Sequence, residues 1–152
     1  MNGSNVPAVK TELVTRLTAR AALSGVQVSY GQPVRVLDVT ALWFGDADST
    51  FEAIAFKKST GRVEVEEDAE ITCYMQAIGY DTQVAADTET AMMLGELFDE
   101  VMSNPTLDGN VSGLLAILPL SGDRIGAPLP NSSKYASIIT ATLGMSSLIQ
   151  LA

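Results

Sequence analysis

From Val63 to Ile78 the chain alternates with a period of two, a pattern no helix can produce. The odd positions are Val63, Val65, Glu67, Ala69, Ile71, Cys73, Met75 and Ala77, and only Glu67 breaks their apolar face. The even positions are polar or acidic, softened by Tyr74 and Ile78. This pattern predicts a half-buried strand of an antiparallel sheet. Its length predicts a bulge or bend near Glu67-Asp68.

The rest of the chain arranges itself around that strand. Val9, Leu13, Leu17 and Ala21 recur at helical spacing after Pro7, which predicts a surface helix ending at Ser24-Gly25. Short strands are expected over Val26–Tyr30, Val34–Phe44 and Phe51–Phe56, with stops at Gly31-Gln32-Pro33 and Gly45-Asp46-Ala47-Asp48. Lys57 to Gly61 reads as a hairpin turn. A second helix, capped by Asp81 or Thr82, is expected to place Val84, Ala91, Leu94, Phe98 and Val101 on one face and to end at Ser103-Asn104-Pro105. Val111–Leu118 reads as an apolar strand and Pro119–Ser133 as an extended loop with three prolines. A last strand is expected from Tyr135 to about Met145.

The expected fold class is α+β: a single domain over 1–152, with a mixed, mainly antiparallel sheet, two helices packed on one face and a flexible segment 1–6. A chain of 152 residues with 47% hydrophobic residues needs no disulfide or metal to make a core. Cys73, the one cysteine, reads as a small core residue.

Composition argues against several functions. There is no histidine, which removes the commonest general base and metal ligand. No phosphate-cradling loop is present, and Gly45–Ser49 is half a calcium loop without its bidentate glutamate. No catalytic residue, metal site or cofactor is expected. With a net charge of −9, the chain is a poor candidate for tight nucleic-acid binding, although an acidic wall lets DNA slide past without sticking. No signal peptide or membrane span is expected, which places synthesis in the cytoplasm.

Two features invite a functional reading. Glu64, Glu66, Asp68 and Glu70 share one strand face about 7 Å apart. They form a solvated outer face, a subunit contact or electronegative channel wall, or a carboxylate pair. Trp43 and Phe44 are either core residues or an exposed aromatic anchor at an interface.

Several phrases recur together in a known family. Val6-Pro7-Ala8-Val9-Lys10 leads into the first helix, and Gly25–Gly31 is followed by Leu42-Trp43-Phe44-Gly45-Asp46. An acidic run opens the long alternating strand, and Ser103-Asn104-Pro105-Thr106-Leu107 closes the second helix before a late strand pair. Over roughly residues 6 to 145 this layout resembles the tail terminator, or tail-completion, proteins of siphovirus-type bacteriophages and their prophage relatives. The stretch Val111 to Leu120 departs from the family pattern in being unusually apolar.

The resemblance implies a structural virion protein of the tail or neck, assembled in the host cytoplasm. Six copies would form a ring that caps the tail tube protein, stops tail growth and joins the head-tail connector protein, while DNA passes without specific binding. Glu64, Glu66, Asp68 and Glu70 would suit the lumen or a subunit interface, and Asp123, Arg124, Ile125 and Leu129 a partner-docking loop. The alternatives are another neck or head-completion protein, richer in helix, and a small-ligand-binding α+β module or histidine-free enzyme using the open sheet face.

Overall fold

The computed structural model describes residues 3–33, 40–57, 62–130 and 132–151. One mixed sheet has the order β1-β2-β3-β5-β4, with β1 (Gln27–Ser29), β2 (Thr40–Lys57), β3 (Arg62–Tyr80), β4 (Leu114–Pro128) and β5 (Tyr135–Leu151). β1 runs parallel to β2, and every other pairing is antiparallel. Helices α1 (Val6–Thr18) and α2 (Gln83–Ser103) cover one face. The α+β class therefore holds.

The period-two segment becomes β3, and its odd residues point toward the helices. Ile71, Cys73, Met75 and Ala77 are fully buried there with Leu42, Phe44, Ala141 and Leu143. Val6, Val9, Leu13 and Leu17 of α1 close the same core.

Several expectations need correction. The stop at Gly45–Asp48 is a bulge inside one continuous strand, with the register shifting between Phe44 and Ala47. Gly45 is required there, because a Cβ would stand 2.5 Å from the Tyr74 ring. No bulge occurs at Glu67-Asp68, where the register of β3 with β5 is unbroken; the irregularities fall on the partner strand β2 and, in β3 itself, between Ile78 and Tyr80. Positions 34–39 of the expected Val34–Phe44 strand, and 58–61 of the expected hairpin turn, lie outside the described residues.

The supposed loop Pro119–Ser133 is strand as far as Pro128. An edge strand tolerates prolines because half of its N–H groups need no partner, and Pro119 sits at a register shift. β4 starts only at Leu114, and β5 runs on past Met145 to Leu151.

Thr82 caps α2, its Oγ1 accepting the Ala85 N–H at 3.1 Å. The buried stripe of that helix is rotated from the expected one, through Ala86, Thr90, Met93, Leu97, Glu100 and Val101, while Val84 and Ala91 are exposed. Thr90 is polar and so hides the stripe from a hydropathy reading, yet it bonds Ser137 across the core at 2.9 Å. Within the segment expected to be flexible, Ser4 and Asn5 both bond Glu67.

Candidate functional site

The sheet face away from the helices is divided into two halves. On β3, Glu64, Glu66, Asp68 and Glu70 project from this face as the alternation requires. Register adds two more carboxylates, because Asp48 of β2 lies directly opposite Glu70 and Glu52 opposite Glu66. Like charges directly opposed destabilise a strand pair. Glu66 accepts a hydrogen bond from Ser146 Oγ at 3.0 Å.

The other half is apolar and belongs to β4. Leu118 and Leu120 are 52% and 55% exposed, and Leu120 packs across Gly144 of β5, where a Cβ would come within 2.9 Å. Further along, Ile125 stands opposite Ile138, and both are exposed. Between the halves lies a groove of about 430 Å³ lined by Asp48, Asp68, Glu70, Leu118, Leu120 and Gly144.

The residues expected to form a docking loop do not converge. Asp123 and Ile125 lie on the open face, opposite Thr140 and Ile138. Arg124 falls on the helix side, its guanidinium 3.4 Å from the Asp87 carbonyl oxygen. Leu129 belongs to the β4–β5 connection, its N–H donating to the Lys134 carbonyl at 2.8 Å.

The exposed-anchor reading of Trp43 and Phe44 fails for this chain, because both are buried. Alternation sends them to opposite faces. Phe44 enters the core, and Trp43 stacks on Tyr74 with ring centroids 5.5 Å apart. Beside them Lys10 donates to the Gly45 carbonyl at 2.9 Å and lies 4.2 Å from the Tyr30 ring centroid. Desolvation lowers its pKa, with Asp46 opposing in part.

Sequence reasoning missed an ionic cluster on the helix side. Arg16 bonds Glu12, Glu100 and Asp108, and Arg20 bonds Glu96, Asp99 and Glu100. Burial works against the charge of Arg16, but its bonds to Glu100, Asp108 and Glu12 outweigh that and raise its pKa. Arg16 lies on α1 and Arg20 just past its end in extended backbone, so only Arg16–Glu12, one turn apart on the helix, was a signal in the sequence.

Chemistry has few footholds here. Among the described residues no group of three or more His, Cys, Asp or Glu is placed to hold a metal ion. Burial pushes the Cys73 thiol well above its ordinary pKa. A thiol reagent should therefore leave native protein unmodified and react only at the rate of unfolding, as an absorbance assay with an aromatic disulfide would show. Fast labelling of folded protein would contradict this placement.

No family model matches the chain, and no curated protein does. Among solved structures, the chain is similar to one in the structure described as "Virion of native gene transfer agent (GTA) particle". The match covers 95% of this chain and 99% of that one, with a TM-score of 0.55 and 16% identity. At that identity the likeness is one of fold, and it runs nearly end to end in both chains.

Proposed function

We propose that this chain is a non-catalytic structural subunit of a phage-type virion. Copies of it form a ring that caps the tail tube, ends tail growth and joins the tail to the head connector. The observation that carries this reading is the nearly end-to-end likeness of fold to a chain of a virion particle. The layout resemblance to tail terminators supports the narrower role. So does the balance of the fold: it is about 31% helical against 49% strand, whereas the head-completion alternative would show helix well above a third. In a ring, the acidic strip Glu64–Glu70 suits a lumen wall or a contact with a neighbour.

Light scattering from dilute to concentrated protein, with electron microscopy of the concentrated sample, tests this. Closed six-membered rings with a central hole are expected, either free or on tail tips. The reading is overturned if the protein stays monomeric at every concentration and fails to cap purified tails.

A further inference from the structure

The open-face groove combines two surfaces that are each unfavourable in isolation. One wall carries Asp48, Asp68 and Glu70, with Asp48 and Glu70 directly opposed across β2 and β3. The other carries Leu118 and Leu120, both more than half exposed. β5 runs between them as the floor, presenting Thr142, Gly144 and Ser146. β3 and β4 are both neighbours of β5, so the acidic row and the leucine row stand two strand spacings apart, about 10 Å. That is the width of an α-helix with its side chains, about 10–12 Å.

We propose that this groove docks an amphipathic helix of a partner protein, basic along one edge and apolar along the other. Lys or Arg side chains would meet the carboxylates, and Leu-sized side chains would cover Leu118 and Leu120. The first contact relieves cross-strand repulsion, and the second removes apolar surface from water. Leu120 leans over Gly144 on the floor, so the helix would lie along β5 on top of that side chain, between Thr142 and Ser146.

Charge complementarity decides between occupants. Within this chain the five cationic side chains that are described are engaged, and those of Arg35, Lys57, Lys58 and Arg62 lie outside the described ones. Lys10 sits by Tyr30 and the Gly45 carbonyl, and Arg16 and Arg20 are held by five carboxylates. Arg124 lies on the helix side near Asp87, and Lys134 pairs with Asp81. A groove that simply faced passing DNA would gain nothing from two exposed leucines. The occupant whose chemistry matches both walls is a basic, amphipathic helix of a different protein, and the test below separates it from a second copy. Taking that protein to be another virion component rests on the proposed function; the chemistry of the groove does not.

The test uses the full chain and a fluorescent synthetic helix of about five turns, with Lys along one edge and Leu along the other. Anisotropy is read at about 0.15 M salt, against a scrambled peptide of the same composition. The designed helix is expected to bind at least about ten-fold more tightly than the scrambled one. Asp68→Asn with Glu70→Gln, and separately Leu118→Ser with Leu120→Ser, should each weaken binding by about ten-fold, whereas Glu89→Gln on α2 should leave it unchanged. Circular dichroism checks that each variant folds. If the leucine pair does not fold, NMR shift changes on the wild type take its place, expected at Gly144 and Ser146.

Equal binding of the scrambled peptide, or no loss on removing the leucines, reduces the effect to general electrostatics and overturns the proposal. Self-association that is lost with Asp68 and Glu70, without any peptide binding, identifies a second copy instead and also overturns it. Ring formation is scored on the same variants. Rings without peptide binding remove the groove proposal alone, and peptide binding without rings removes the ring reading alone.

Discussion

Glu67→Ala is expected to cost about 3 kcal/mol of stability and to lower the melting temperature by about 10 °C. Glu67 lies on the helix-facing side of β3 with no exposed surface. Its carboxylate accepts the Ser4 hydroxyl at 2.6 Å and the Asn5 N–H at 2.7 Å. Asn5 is the residue before the first turn of α1, and its own side chain makes no capping bond. Glu67 therefore serves as a cap supplied from the sheet, with its negative charge at the positive end of the helix dipole. The Asn5 amide also bonds the Ser112 carbonyl at 3.0 Å and the Ser147 hydroxyl, so three distant segments meet there.

Alanine leaves a half-buried N–H and hydroxyl without their acceptor and opens a cavity where the buried Glu67 side chain stood. Glu67→Gln keeps the shape and one acceptor, and should lose only about 1 kcal/mol. Thermal melts of the two variants check the ordering. If alanine melts where the wild type does, Glu67 does not anchor the helix.

Glu100→Ala should be of similar size, about 3 kcal/mol, at the low end for breaking a buried ion pair because each arginine keeps other carboxylates. Glu100 is buried on α2 and takes Arg16 at 3.0 Å through Oε1 and Arg20 at 2.6 Å through Oε2. One carboxylate thus joins both arginines of the α1 region to α2.

Arg16 also reaches the Leu107 carbonyl and the Asp108 carboxylate, each at 2.9 Å. Leu107 and Asp108 have φ of 51° and 54°, a left-handed conformation that costs a residue with a Cβ about 1–2 kcal/mol. The Arg16 contacts help hold this turn, so Glu100→Ala should also speed hydrogen exchange around residues 107–110. Urea unfolding of Arg20→Ala, Glu100→Ala and the double variant gives the coupling between the two groups. A coupling near zero would show that Glu100 acts by packing alone.

Much of the local structure was legible in the residue pattern. The alternation from Val63 to Ile78 became β3 over Arg62–Tyr80, and Val9, Leu13 and Leu17 became the buried stripe of α1. Thr82 capped α2 through a bond three residues away. Such features depend on neighbours within a turn or on a strand's own period, and both are written in consecutive residues.

The candidate site was legible only by halves. Glu64 to Glu70 lay on one face, as alternation required, but Asp48 and Glu52 joined them only through the register of β2, which a bulge at Gly45 resets. Leu118 and Leu120 came to flank the acidic row because β4 pairs β5, a strand later in sequence, and not β3. Glu67 looked like a flaw in an apolar face until Ser4 and Asn5 arrived from more than sixty residues away. Strand order, register and the meeting of distant polar groups are set by which packing of the whole chain satisfies its buried groups, and no local window of residues contains that choice.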